Sequence, residues 1–185
     1  MTATAKSIVV LGDSISAGYG IDVTQSWVTL LQNKLNENST GHIIHNESIS
    51  GDTTTGGLAR IDRALILHKP DIVIIELGAN DGLRGLPPML IKSNLAEIAH
   101  RAQQAGAKIL LLGMKIPPTP AITASIFYNI YPQLATGLNI PYVSFIMKNA
   151  ALSKDMMQAD GLHPNAKGQP FIADKVWTQL RPLLK

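Results

Sequence analysis

The sequence predicts an α/β fold in which helices cover both faces of a parallel sheet. Two observations carry that reading. Five short apolar, β-branched runs recur along the 185 residues, and a helix-length amphipathic segment separates each successive pair. The runs also lack the alternation of a half-exposed strand. Ile72-Val73-Ile74-Ile75 is apolar at every position, as a strand covered on both sides must be.

The first run spans Ser7 to Leu11 and the second His42 to Ser48. Between them Trp27, Leu30, Leu31 and Leu35 follow Gln25 at helical spacing. Leu58, Ile61, Leu65 and Ile66 repeat that spacing before the third run, Asp71 to Leu77. A helix from about Met89 to Ala105 places Leu95, Ile98 and Ala102 on one face, takes Gly106 as its C-cap, and leads into the run Lys108 to Met114. Ile116-Pro117-Pro118-Thr119-Pro120 follows, too short for a linker and read as a rigid loop. A helix over Ala121 to Leu138 precedes the fifth run, Tyr142 to Phe145. The closing helix covers Ala166 to Leu184 through Phe171, Ile172, Val176 and Leu180. No repeat, linker or low-complexity segment interrupts the pattern, so residues 1–185 are expected to form one domain.

Composition removes several function classes. The chain is 45% apolar and 16% charged, as expected of a soluble globular protein. Its net charge of +3 comes from scattered lysines and arginines, which does not indicate nucleic acid. A mildly basic surface still favours anionic substrates or lipid headgroups. The absence of cysteine excludes a thiol nucleophile, a disulfide framework and a Cys-ligated zinc. No apolar run approaches the ~20 residues of a membrane span, so no stable membrane insertion is expected. Met1-Thr2-Ala3-Thr4-Ala5-Lys6 has no apolar core of a signal peptide, although a mature exported protein would look the same.

The chemistry gathers at the strand ends, where open parallel sheets bind ligands. Gly12-Asp13-Ser14 follows the first run, Ser50-Gly51-Asp52-Thr53-Thr54 the second and Gly78-Ala79-Asn80-Asp81-Gly82 the third; Asp160-Gly161-Leu162-His163-Pro164 lies beyond the fifth. Each has an ordinary structural reading. Gly12-Asp13-Ser14 can be loop punctuation, and Asp52 or Thr53 can cap a helix. Asn80-Asp81 can form a turn, and Asp160 with His163 can cap the last helix. Together they are the parts of a nucleophilic hydrolase. Ser14 attacks a carbonyl carbon once His163 takes its proton, and Asp160 holds the imidazole in the working tautomer. The Ser14 and Gly51 backbone N–H groups and the Asn80 amide are the candidate oxyanion donors, each worth roughly 3–4 kcal/mol.

These blocks resemble those of the SGNH (GDSL) hydrolase family, whose name lists the residues found here as Ser14, Gly51, Asn80 and His163. Asp160 and His163 resemble its D-x-x-H-P block. Over nearly the full length the chain is also similar to the family's bacterial multifunctional thioesterase and lysophospholipase members. That similarity rests on Gly12-Asp13-Ser14-Ile15-Ser16-Ala17-Gly18-Tyr19, Leu77-Gly78-Ala79-Asn80-Asp81-Gly82-Leu83-Arg84-Gly85 and Gln169-Pro170-Phe171-Ile172-Ala173-Asp174. The resemblance implies a flavodoxin-like, five-stranded parallel sheet in a three-layer α/β/α sandwich, the SGNH hydrolase fold. It further implies cofactor- and metal-free acyl transfer through an acyl-serine, acting on small-molecule esters, thioesters and lysophospholipids. Such members are usually periplasmic, so the chain is expected there as a mature form, with the cytoplasm as the alternative. A monomer is expected over an oligomer.

Gly82-Leu83-Arg84-Gly85-Leu86-Pro87 is read as a glycine-pivoted wall of the acyl groove, with Leu83, Arg84 and Leu86 as substrate contacts. The plainer reading is a loop entering a helix near Pro87. Ile116 and Pro117 are candidates for the opposite wall. Met114, Met147, Met156 and Met157 read as core filling, and His42, His45, His68 and His100 as poor metal ligands. The same residues admit two rival functions. In a metal-dependent phosphoesterase, Asp13, Asp52, Asp81, Asp160 and His163 would act as ligands, but that leaves Ser14 without a task. A non-catalytic module would hold a small ligand on the same rim and gain nothing from a triad.

Overall fold

The five apolar runs become the parallel strands β1 (Lys6–Gly12), β2 (His42–Asn46), β3 (Ile72–Glu76), β4 (Lys108–Leu112) and β5 (Tyr142–Val143). They form one sheet in the order β2-β1-β3-β4-β5, which is the flavodoxin-like order. Its direction reverses between β1 and β3, so a crevice opens beyond their carboxyl ends. The computed structural model describes residues 6–116, 121–148 and 153–185, with 121–124 described by backbone alone.

Two helical layers cover the sheet. The helices α2 (Trp27–Glu37) and α7 (Gln169–Leu180) pack together on one face. On the other lie α3 (Thr54–His68), α5 (Pro88–Gln104) and α6 (Ala121–Leu138). Every residue of β3 is buried, the apolar run Ile72 to Ile75 and the charged Glu76 that closes it. Trp27, Phe127 and Tyr131 anchor the core, and Trp177 packs against it half-buried. At the edge strand β2, the Gln32 side chain donates to His42 O at 3.0 Å and accepts from Ile44 N at 2.7 Å. Those bonds occupy edge groups that would otherwise invite another strand.

The boundaries differ from expectation for local reasons. β2 is regular only to Asn46; beyond it Ser48 N–H turns back to Asn46 Oδ1 at 3.2 Å, while Glu47 and Ile49 N–H still reach Val10 O and Gly12 O on β1 at 2.9 and 3.0 Å. β4 stops at Leu112, and β5 has two residues instead of four. Beyond Val143, Ile146 N–H returns to Gly113 O at 3.1 Å and Lys148 N–H closes on Phe145 O at 3.0 Å. The cap of α5 is Ala105, with Gly106 just past it at φ +88°. The closing helix starts at Gln169 because Asn165 to Gly168 form a turn, with Gly168 N–H on Asn165 O at 3.0 Å. It ends at Leu180 because Pro182 lacks the N–H to continue, leaving a 3₁₀ turn over Arg181–Leu184. Two short helices, α1 (Ser14–Ala17) and α4 (Ala79–Leu83), occupy the rim. Asn80 and Asp81 therefore sit in a helical turn, not in a free-standing loop.

Candidate active site

β1 delivers Gly12 to the rim, and Asp13 caps α1 by accepting the Ile15 N–H on Oδ1 at 3.0 Å. Ser14 is the first residue of that helix and is 9% exposed. The closing segment reaches it from the far end of the chain. Met157 and Pro164 form an antiparallel bridge, and Gln158 N–H bonds His163 O at 2.8 Å. Gln158 Nε2 then donates to Tyr19 O at 2.8 Å. Gln169, buried at the start of α7, accepts Trp27 N–H at 2.9 Å and donates to Pro164 O at 3.3 Å. These two glutamines join the last loop to the segments that follow β1.

The result is a continuous relay. Ser14 Oγ lies 2.8 Å from His163 Nε2, and His163 Nδ1 lies 2.6 Å from Asp160 Oδ2. Asp160 Oδ1 accepts the Leu162 and His163 N–H groups at 2.9 and 3.0 Å. The His163 backbone and side-chain bonds, with the Leu162 N–H, hold its carboxyl down at about 2. Asp160 and His163 do not cap the last helix, whose N-cap is Gly168. The Tyr19 ring lies against the imidazole with centroids 4.6 Å apart.

Asn80 stands on the opposite side of this turn, in α4. Its Nδ2 donates to Asp52 O at 2.9 Å and to Asp13 Oδ2 at 3.2 Å. Behind it Asp81 is fully buried and accepts from Thr54 N at 2.9 Å and Thr54 Oγ1 at 2.5 Å. That arrangement fastens α4 to the start of α3. Gly78 enters α4 at φ +118°, where a Cβ would collide with the Tyr131 hydroxyl. Gly51 lies on an exposed turn at φ +81°. Thr53 caps α3, accepting from Gly56 N, while Asp52 pairs with Arg60 Nε at 2.7 Å.

A cavity of about 410 Å³ opens from Ser14 and His163 between α4 and the segment after β4. Leu83, Ile116, Phe145, Met147 and Leu162 give it an apolar wall, and Lys115 adds a cation held over the Tyr128 ring at 4.6 Å. Two expected wall residues lie elsewhere. Arg84 points to Gly51 O at 2.8 Å. Leu86 is half-buried outside the cavity lining, because its N–H closes the end of α4 on Asp81 O at 2.9 Å. Pro87 precedes α5, and Pro88 takes its first turn. Pro117 lies outside the described residues. Met114, Met147 and Met157 line the cavity as well as filling space. His68, read as a poor metal ligand, bonds Glu47 Oε1 at 2.5 Å.

A model of the GDSL-like lipase/acylhydrolase family matches residues 10–170. The chain belongs to that family. Esterase TesA of Pseudomonas aeruginosa is 44% identical over 184 residues, which are 98% of this chain and 91% of TesA. Thioesterase 1/protease 1/lysophospholipase L1 of Escherichia coli is 40% identical over 183 residues, 98% of this chain and 86% of that relative. Among solved structures, psychrotrophic esterase EstA from Pseudoalteromonas, inhibited by monoethylphosphonate, superposes with a TM-score of 0.91 at 38% identity. That match covers 97% of this chain and 98% of EstA. In this GDSL-like chain, sequence reasoning missed Tyr19, Gln158, Gln169 and Glu76. Only Glu76 carried a visible signal, as a charged residue closing an apolar strand run.

Proposed function

We propose that the chain is a serine esterase hydrolysing acyl esters, thioesters and lysophospholipids through an acyl-serine intermediate, with residues 1–185 acting as one hydrolase domain. The observation that carries the reading is the relay from Asp160 Oδ2 to His163 Nδ1 at 2.6 Å and from His163 Nε2 to Ser14 Oγ at 2.8 Å. In the first step His163 accepts the Ser14 proton as Oγ attacks the acyl carbon, and Asp160 stabilises the imidazolium. The Ser14 N–H, the Gly51 N–H and the Asn80 amide receive the oxyanion. His163 then returns the proton to the leaving alcohol or thiol. In the second step water repeats the sequence and frees the acid. Leu83, Ile116 and the methionine-lined wall take the acyl chain.

The names of the family relatives, esterase TesA and thioesterase 1/protease 1/lysophospholipase L1, support this substrate range. The phosphoesterase reading fits less well, because Asp52 is engaged by Arg60 and Asp81 by Thr54. Among the described residues no helix is long and apolar enough to cross a membrane. The proposal places the enzyme in the periplasm as a monomer.

A panel of p-nitrophenyl esters and acyl-CoA thioesters of graded chain length tests the reading. Wild type should turn over both classes, and a folded Ser14→Ala variant should turn over neither. Ser14→Ala at near wild-type rate, or activity abolished by a chelator and restored by metal, would overturn it.

A further inference from the structure

Two acidic side chains meet beneath the nucleophile turn. Glu76 ends β3 opposite Gly12 of β1 and is fully buried. Its Oε2 accepts from Ser16 Oγ at 2.6 Å and from Asp13 N at 3.3 Å. Its Oε1 has no well-aligned partner among the described residues. Asp13 is 1% exposed, with Oδ1 on the Ile15 N–H and Oδ2 on the Asn80 amide. Among the described residues neither carboxyl has an ion-pair partner. Arg60 reaches in from α3 but donates to Asp52, to Glu47 O and to Gly12 O. The other titratable groups facing the pair are Asp52, His163 and Tyr131, and Asp81 faces Tyr131 in turn. A Cβ on Gly12 would come within 2.9 Å of Glu76 Oε2, so glycine there permits the approach.

Two ionised carboxylates cannot share so dry a place, because desolvation and mutual repulsion both favour keeping a proton. Burial pushes Asp13 up to about 6, with the Ile15 N–H and a hydrogen bond from Glu76 pulling against it. Burial first, then the Asp13 charge, push Glu76 well above the carboxylate range.

We propose that Glu76 works as a neutral carboxylic acid, a positioning residue that holds Asp13, and through it the Asn80 amide, behind the nucleophile. The inference rests on the serine-hydrolase reading above. With the proton on Glu76, the pair carries one negative charge, and Asp13 stays the acceptor for Ile15 and Asn80. An ionised Glu76 would put a second negative charge beneath the nucleophile turn, against the sign of the oxyanion that forms above it.

Two variants and a spectrum test this. Glu76→Gln keeps the shape and hydrogen-bonding pattern of a neutral acid, so its kcat at pH 7 should stay within about threefold of wild type. Glu76→Ala should lose about tenfold or more in kcat, with KM changed less than about twofold. Infrared difference spectra of wild type against Glu76→Gln at pH 8 should show the carbonyl band of a protonated carboxyl. Glu76→Gln as impaired as Glu76→Ala, wild-type kcat in Glu76→Ala, or no such band would each overturn the proposal. If Glu76→Ala does not fold, the Gln rate and the spectrum decide. Wild type left unlabelled at Ser14 by a fluorophosphonate would overturn the serine mechanism itself; a labelled Ser14 without the carboxyl band removes only the role of Glu76.

Discussion

Asn80 enters the reaction with both amide hydrogens engaged, one on Asp52 O at 2.9 Å and one on Asp13 Oδ2 at 3.2 Å. An oxyanion must share one of them. Asn80→Ala should therefore lower kcat by on the order of a hundredfold, with KM little changed, in steady-state ester hydrolysis. A near-normal kcat would remove Asn80 from that role. Asp160, held down at about 2 by the His163 bonds and the Leu162 N–H, stays ionised in mild acid, so its protonation does not account for any loss of activity there. The candidate residues Ser14, Asp160 and His163 were legible because they stand in short polar blocks, Gly12-Asp13-Ser14 and Asp160 to His163, beyond apolar strand runs. Glu76 and Gln169 were not, since their importance comes from burial and from partners far along the chain.

Among the elements, the closing loop decides whether base and nucleophile meet. Gln169 is 1% exposed and links Trp27 N, at the head of α2, to Pro164 O beside His163. Gln169→Leu keeps the bulk but leaves the buried Trp27 N–H unsatisfied, while Pro164 O keeps only Gln158 Nε2 at 3.1 Å. Chemical denaturation should show a loss of about 1–3 kcal/mol, and kcat should fall with it as the loop loosens. Unchanged stability would mean that the loop is held by other contacts. Strands were readable as short unbroken apolar runs and long helices from apolar period. Their ends were not, because they are marked by local features such as the Ser48 N–H on Asn46 Oδ1 and Pro182. The helix α4 was hidden for another reason: five residues, two of them glycine or its equal in turn preference (Gly82 and Asn80), carry no helical period, and Asp81 bonding to Thr54 stabilises it from outside.

For the molecule as a whole, the buried acid has a cost that pH exposes. Above the ordinary Glu76 value of 4.5 the unfolded chain ionises that side chain, whereas the fold, which raises it, does not. The folded state then binds more protons than the unfolded one, so this group makes wild type less stable as pH rises through that window. Glu76→Gln escapes the effect. Its Tm relative to wild type should climb between pH 4 and pH 8, and a difference that does not change with pH would contradict a raised Glu76. The same architecture brings residue 14 and residue 163 together from the two ends of the chain, beyond the carboxyl end of β1 where the strand order β2-β1-β3-β4-β5 has its switch point. The most direct measurement is mass spectrometry of the protein after treatment with a fluorophosphonate. A single adduct on the peptide holding Ser14, formed in step with loss of esterase activity and absent from Ser14→Ala, is the predicted result; full inhibition with Ser14 unmodified, or full modification with activity intact, would contradict it.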